Sequence, residues 1–317
     1  CSSDLITSSY GMKLTGDSKA LENSIRVYRE ALRFIIPIVD AHWVDLKSFE
    51  YMKQRMTYIE KLIHSTDENQ ARYGFDDEFP KFPSYLRRAV LNDAIGIVSS
   101  YRSNLANWEK DPKGQAPQLS FTHYAYPAYY KNNLFRNFDP IRQTVELKVF
   151  KNGDWVYEVY QLKTSDCAYY QNHLIGKKQN VPIIQKKGRR FYATFSYEEN
   201  VPLVPEESIS KICAVDLGLG TDATCCIMDQ DGTVYARKFI SFSEEHDRLN
   251  TQLGRIKRNQ KRGSRHNKTL WRKVSGISQD IADKTVKAIL DFGNEHGVDV
   301  FVLEYLDFKG KNAVKRA

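Results

Sequence analysis

The chain has 317 residues, with 47 Lys or Arg against 39 Asp or Glu, so its net charge is +8 at neutral pH. A hydrophobic content of 41% is ordinary for a globular protein, and the positive charge favours a polyanionic partner. Aromatic residues make up 12% of the chain and suit stacking on unpaired bases. No apolar run approaches the length of a membrane span and no signal peptide is recognisable, so we expect a cytoplasmic protein without a membrane partner.

The cysteines indicate neither a disulfide framework nor a zinc site. The chain contains Cys1, Cys167, Cys213, Cys225 and Cys226, and no two of them form a CxxC pair. The last three lie in apolar stretches and are typical of small buried hydrophobes in a reducing compartment. The chain does not begin with Met and stops 13 residues past Glu304, so we expect native sequence beyond one or both ends.

The first third of the chain is predicted to be helical after a possible strand within residues 1–16. Asp17 or Ser18 is a plausible cap for an amphipathic helix that Pro37 kinks or ends. A second helix is predicted around 49–63, and a third begins at a Ser84 cap. The helices are expected to pack on one another, and outer arginines are candidates for following a phosphate backbone: Arg26, Arg29, Arg33, Arg87, Arg88 and Arg102.

A change of period marks a β-rich segment over roughly 118–205. Residues 144–150, 154–162 and 188–197 alternate or run apolar at strand length, and Asn152-Gly153 is a strong hairpin signal between the first two. These strands predict a small barrel or curled sheet. Its Tyr, Lys and Arg suit contact with single strands or duplex junctions, although an ordinary solvated sheet is equally consistent with them.

Two carboxylates end two apolar strands in the last part of the chain. Asp216 ends 211–216, and Glu304 ends 298–304. Between them the pattern predicts two further strands and a helical crossover, which is the opening order of the RNase H-like fold, where the first and fourth strands bring their acids together. Mg²⁺ takes oxygen ligands, and a pair of such ions can activate water against a phosphodiester. We therefore predict that Asp216 and Glu304 are catalytic metal ligands, the alternative being polar strand ends.

Two other acids near these strands have simpler interpretations. Asp222 follows in the next turn and is expected to be a turn residue rather than an outer-shell partner of the metal. Asp307 is expected to be a surface residue.

The most basic stretch of the chain lies between the two candidate ligands. Residues 246–273, which we call the basic segment, contain one acid, Asp247. A run of charge is often a solvated helix face, but this imbalance favours contact with a phosphate backbone. The ten candidate nucleic-acid-binding residues are Arg248, Arg255, Lys257, Arg258, Lys261, Arg262, Arg265, Lys268, Arg272 and Lys273.

Two motifs carry a resemblance to a known group of nucleases. AVDLGLGTDAT at 214–224 resembles the first RuvC motif of the TnpB transposon nucleases and the related type V CRISPR effectors, and FVLEYLDF at 301–308 resembles their second motif. The order of elements in front is similar as well, so the resemblance covers most of the chain. It implies an α+β multidomain fold with an N-terminal strand of a wedge-like domain at 1–16, a helical recognition lobe at 17–117, a β-barrel wedge-like domain at 118–205 and an RNase H-like RuvC domain at 206–317, incomplete at its C-terminus.

The resemblance implies an RNA-guided DNA endonuclease. A guide RNA would pair with target DNA, double-stranded or single-stranded, while the protein reads a short flanking duplex motif. Asp216 and Glu304 would hold two Mg²⁺ ions, or Mn²⁺, for cutting. The family also has a third RuvC acid, an Asp, and usually a Cys-rich zinc element, and neither lies within this chain. Either the sequence is truncated or this member is catalytically reduced, and nucleic-acid binding is expected in both cases.

Three alternatives stay open at this stage. An RNA-guided protein that binds without cutting would share most of these features. DLGLGTDAT also resembles the phosphate loop of actin-like and sugar-kinase ATPases, whose backbone amides cradle phosphates. That alternative requires a second phosphate loop and an adenosine pocket, and the sequence offers neither. An unguided resolvase or transposase would not need the long helical and β-rich region in front.

Overall fold

The computed structural model describes residues 3–112, 114–119, 125–218, 220–264 and 266–304. The chain divides into two compact units, the N-terminal unit of Asp4–Val201 and the C-terminal unit, which contains the described residues from Pro202 onward. Each unit has its own hydrophobic core. None of the helices in the described ranges is long and apolar enough to cross a membrane.

The N-terminal unit begins with a strand and continues with the predicted helices. In chain order its first elements are β1 (Ser3–Thr15), α1 (Ser18–Ala41), α2 (Trp43–Lys47), α3 (Met52–Ile63), α4 (Phe75–Glu78) and α5 (Ser84–Lys110). Asp17 caps α1 as predicted, since its carboxylate accepts the N–H of Ala20 at 3.0 Å. Pro37 does not end α1, because a proline removes only one helical donor and its buried neighbours hold the helix on the core. Ser84 is the first residue of α5 rather than its cap.

The β-rich part of this unit forms one curled sheet. Its remaining elements are β2 (Phe135–Asp139), β3 (Thr144–Lys151), β4 (Asp154–Leu162), α6 (Thr164–His173), β5 (Lys178–Gln179), β6 (Ile183–Lys187) and β7 (Arg190–Pro202). The strand order is β2-β3-β4-β1-β7-β5, with β6 also paired to β7. Asn152 and Gly153 have φ of 52° and 84°, the left-handed values of the predicted hairpin turn. Helices and sheet share a single hydrophobic core.

The C-terminal unit has the predicted strand order. Its elements are β8 (Lys211–Asp216), β9 (Ala223–Asp229), β10 (Val234–Ile240), α7 (Ser243–Lys261), α8 (Lys268–Glu295) and β11 (Val300–Leu303). The sheet order is β10-β9-β8-β11, and β11 runs parallel to β8 after the helical crossover. Cys213 and Cys225 lie in the core beside Ile289 and Phe292 of α8. Both cysteines are free and buried, as their apolar surroundings predicted, whereas Cys226 is free but only half-buried, because successive residues of a strand point to opposite faces of the sheet.

Candidate metal-binding carboxylate pair

Asp216 and Glu304 lie level with each other at one edge of the C-terminal sheet. The parallel pairing of β8 and β11 runs from Ile212 opposite Val300 to Val215 opposite Leu303. The next residue on each chain is Asp216 or Glu304, and both are exposed. Because neighbouring strands lie about 5 Å apart, the two carboxylates leave the backbone within reach of one shared ion. The strand pairing thus joins two residues that are 88 positions apart in sequence.

A third carboxylate fixes the register that makes these two acids level. Asp299, just before β11, accepts the backbone N–H and the hydroxyl of Ser210 at 2.8 Å each and the N–H of Lys211 at 3.0 Å. Its own N–H donates to the carbonyl of Lys211 at 3.0 Å. The Lys211 and Ser210 donors hold the pKa of the Asp299 carboxyl below its ordinary value. We did not anticipate this residue from the sequence, where it is simply an acid before a strand.

The loop after Asp216 is tight and is tied to the start of α7. A side chain at Gly218 would place its first carbon 2.9 Å from the carbonyl oxygen of Thr221, so the turn requires glycine. Asp222 accepts the N–H of Phe242 at 2.9 Å and lies 2.7 Å from Nε2 of His246. The Asp222 side chain is only 9% exposed. These contacts are those of a structural turn residue.

The donor set suits a hard divalent cation better than zinc. In the described ranges, no group of three or more His, Cys, Asp or Glu side chains converges on a common point. Mg²⁺ keeps several water ligands and commonly takes only one or two carboxylates from a protein, whereas structural zinc is held by four Cys or His ligands. Two exposed carboxylates at the ends of neighbouring strands fit the first pattern.

The basic segment forms nearly all of α7, the following turn and the start of α8. Ile256 is the buried residue that anchors α7 here, and the amide of Asn259 donates to the side-chain oxygen of Asn267 at 3.0 Å across the turn. Arg248 differs from the other cations, because it lies 3.9 Å from Glu245 and 3.8 Å from Asp280. Arg265 and Asp307 lie outside the described residues.

The other cations of the basic segment face solvent. Within the described ranges they have no ion pair, and every one is exposed: Arg255, Lys257, Arg258, Lys261, Arg262, Lys268, Arg272 and Lys273. Unpaired surface cations repel one another, so they destabilise the helix pair of α7 and α8 in the free protein and favour an anionic partner. The segment therefore offers a rigid, positively charged surface inside the crossover that connects the two candidate ligands.

Two of the arginines predicted on the outer helical faces serve the fold of the N-terminal unit. Arg87 is buried, and its guanidinium lies 3.2 Å from Glu60 and 3.8 Å from Asp76. The prediction of an outward-facing Arg87 is wrong, because the paired acids supply the partners that a buried guanidinium needs. Arg102 donates to the carboxylate of Asp40 at 2.7 Å and is partly covered.

Comparisons with known proteins give a partial match and distant structural likenesses. A model described as the Aq_aa04 family matches residues 7–151, which is less than half of the chain. Comparison with curated proteins gives no match. Among solved structures, a Cas12f1–sgRNA–target DNA complex has a TM-score of 0.39 at 10% identity, with 98% of this chain and 83% of that chain covered.

Two further solved structures are similar over smaller shares of their own length. A CRISPR–Cas12f ternary complex has a TM-score of 0.29 at 12% identity, with 91% of this chain and 62% of that chain covered. A Cas12i1–crRNA binary complex has a TM-score of 0.27 at 13% identity, with 70% and 30% covered. TM-scores in this range do not establish a common fold.

Proposed function

We propose that this protein is a metal-dependent nuclease that cuts DNA under the guidance of an RNA, with Asp216 and Glu304 as its metal ligands. The observation that carries the proposal is the level position of these two exposed acids at the ends of adjacent parallel strands. Structural acids at strand ends are usually paired with donors, as Asp299 is. In the described ranges, neither Asp216 nor Glu304 has a hydrogen-bonded or ion-paired partner, so both are available to a cation.

The side chains of the C-terminal unit would divide the work between them. A divalent ion held by Asp216 and Glu304 would supply Lewis acidity at the phosphodiester and a nucleophilic water. Asp299 would position the pair through the strand register, and Asp222 would hold the adjoining loop against α7. The exposed cations of the basic segment would hold the phosphate backbone, which makes binding depend on salt concentration.

The RNA-guided part of the proposal is supported by the likeness of the two motifs to the RuvC motifs of TnpB and type V effectors. Proteins of that kind leave sequence recognition to base pairing and hold the heteroduplex through its backbone. A segment rich in exposed lysines and arginines suits such backbone contact. RNA that copurifies with the protein from its native locus is expected to be one discrete species with a constant scaffold and a variable end.

The cutting activity is tested by removing one ligand. Asp216→Ala is expected to abolish Mg²⁺-dependent cleavage of guide-matched DNA while leaving nucleic-acid affinity nearly unchanged, because a metal ligand contributes to the transition state more than to backbone binding. Asp231→Ala is the matched control, since Asp231 lies in an exposed turn between β9 and β10. Cleavage by the Asp216→Ala variant would show that the site is assigned to the wrong residues.

A second candidate function is RNA-guided binding without cleavage. It is favoured by the exposed cations of the basic segment, which can hold a phosphate backbone without a metal. Wild-type protein loaded with its copurifying RNA separates the candidates: bound but uncut target DNA in the presence of Mg²⁺ supports the binder, and cut DNA supports the nuclease.

A further inference from the structure

The N-terminal unit contains a cationic pocket that is separate from the carboxylate pair. Its volume is about 380 Å³, and it lies between α1 and the hairpin of β6 and β7. Four cations line it, namely Arg26, Arg29, Arg33 and Lys186. The lining carboxylate of Glu22 pairs with Lys186, and Arg26 pairs with Glu30 on the same helix. Cations that line one pocket repel one another, and an anionic ligand would relieve this repulsion.

Helical spacing explains how α1 supplies three of these cations. Positions 22, 26, 29 and 33 recur at intervals of four, three and four, so they share one face of the helix. The neighbouring face carries Ile25, Tyr28 and Leu32 and is buried in the core, and Ile25 also lines the pocket. The cationic face is therefore held rigidly toward the pocket.

Arg29 is pre-oriented to bind two oxygens of one anion. Its Nε donates to the carbonyl oxygen of Ala125 at 2.9 Å, and its guanidinium lies 4.9 Å from the centre of the Tyr126 ring. The hydroxyl of Tyr126 donates to the carbonyl of Lys186 at 2.8 Å, which ties the ring to β6. A guanidinium has five donors in a fixed fork, and within the described ranges the two terminal nitrogens of Arg29 have no hydrogen-bond acceptor, so they can bind phosphate oxygens.

The adjoining turn extends the positive surface beyond the pocket. Gly188 lines the pocket with φ of 63°, and the exposed Lys187, Arg189 and Arg190 surround it. The ammonium of Lys186 contacts the largely exposed carboxylate of Glu22, a partner that a phosphate would displace at little cost. A single phosphate can reach the guanidinium of Arg29, and a continuing chain of phosphates is needed to use the turn as well.

We infer that this pocket binds a phosphate of a polynucleotide backbone, with the neighbouring phosphates lying along the Lys187–Arg190 turn. The choice of a nucleic acid as the partner rests on the proposed function. The pocket itself contains neither Asp216 nor Glu304 and no residue of the basic segment.

The test is a binding titration of the full chain in EDTA with a labelled single-stranded RNA of about 20 nucleotides, at several salt concentrations. Arg29→Gln combined with Lys187→Gln is expected to weaken binding at least about fivefold and to lower the salt slope by about 1.4, since each lost contact to a single strand removes about 0.7. Arg29→Lys alone should also weaken binding, because it keeps the charge but loses the fork. Lys53→Gln, an exposed lysine of α3 outside the pocket, is the control and should leave both quantities unchanged.

Two further measurements make the result decisive. An oligonucleotide analogue with an uncharged backbone should bind equally weakly to wild type and to the double variant. An unchanged affinity and salt slope in a double variant that melts like wild type would overturn the inference, as would inorganic phosphate that competes as well per phosphate as the RNA does. Because EDTA prevents cutting, failure of the nuclease proposal would leave this result intact, and failure here would leave the cleavage test intact.

Discussion

At the scale of single residues, the side chain that most controls the candidate site is one that does not belong to it. Asp299 fixes the start of β11 against Ser210 and Lys211, and every later pairing follows from that start. A slip of one residue in a strand turns its side chains to the other face of the sheet. The position of Glu304 beside Asp216 therefore depends on the hydrogen-bonded carboxylate of Asp299, at the other end of β11.

Asp299→Asn is expected to lower the thermal stability of the C-terminal unit at neutral pH. The folded protein holds the Asp299 pKa below its unfolded value of about 3.9, so the carboxylate stabilises the fold above that pH and its contribution is lost as the pH falls through the lower, folded pKa. Melting curves from neutral to acid pH should thus show the wild-type advantage shrinking in the acid range. Asp231→Asn serves as the control, and an advantage of wild type that persists unchanged in acid would contradict the account.

At the scale of elements, α8 and β11 meet at a contact that only glycine permits. A side chain at Gly293 of α8 would place its first carbon 2.5 Å from Cε1 of Phe301, which packs on the core from β11. The strand that delivers Glu304 thus lies directly against the helix. By contrast, nothing lies within 4 Å of the corresponding position at Gly276, in the exposed part of the same helix.

The two glycines predict opposite effects of alanine. Gly293→Ala should lower the free energy of unfolding by about 1–3 kcal/mol, because it overpacks the contact with Phe301. Gly276→Ala should raise it by about 0.5–1 kcal/mol, because alanine favours the helix and meets no neighbour. Denaturant titration of both variants checks the pair, and equal effects would show that the α8–β11 contact is looser than described.

Elements with a strong local signal were predictable, and elements set by distant partners were not. Asp17 caps α1 and Asn152-Gly153 closes the β3–β4 hairpin because each acts on its immediate neighbours. The strand order around the two acids followed from length and apolar pattern. The sequence of α6 has no apolar stripe, so it escaped prediction, and the burial of Arg87 depends on acids far along the chain. The assignment of Asp216 and Glu304 as metal ligands stays a prediction. The hydrogen bonds from Ser210 and Lys211 to Asp299 have no sequence signature.

At the scale of the whole molecule, two hydrophobic cores lie in two compact units. The first joins helices and curled sheet, with β1 in the middle of the sheet between β4 and β7, and the second joins the four-stranded sheet to α8. A unit with its own core can fold alone. The candidate metal ligands fall in the second unit, and the cationic pocket falls in the first.

A fragment of residues 4–201 is therefore expected to fold without the rest of the chain. Its melting curve by circular dichroism should show one cooperative transition, because helices and sheet share the same core. It should bind RNA with a dependence on Arg29 and should not cut DNA. A broad, non-cooperative transition would show that the fragment needs the C-terminal unit.

The buried thiols of the C-terminal sheet can report how often that sheet opens. Burial, together with the neighbouring Cys225, raises the pKa of Cys213 to about 11, and burial also raises the pKa of Cys225. Only a thiolate reacts readily with alkylating reagents, so both sulfurs are protected at neutral pH by enclosure and by protonation. Modification of Cys213 or Cys225, distinguished from that of the half-buried Cys226, would then require the strands next to Asp216 to open. The alkylation rate of these two thiols therefore reports how often the candidate site comes apart.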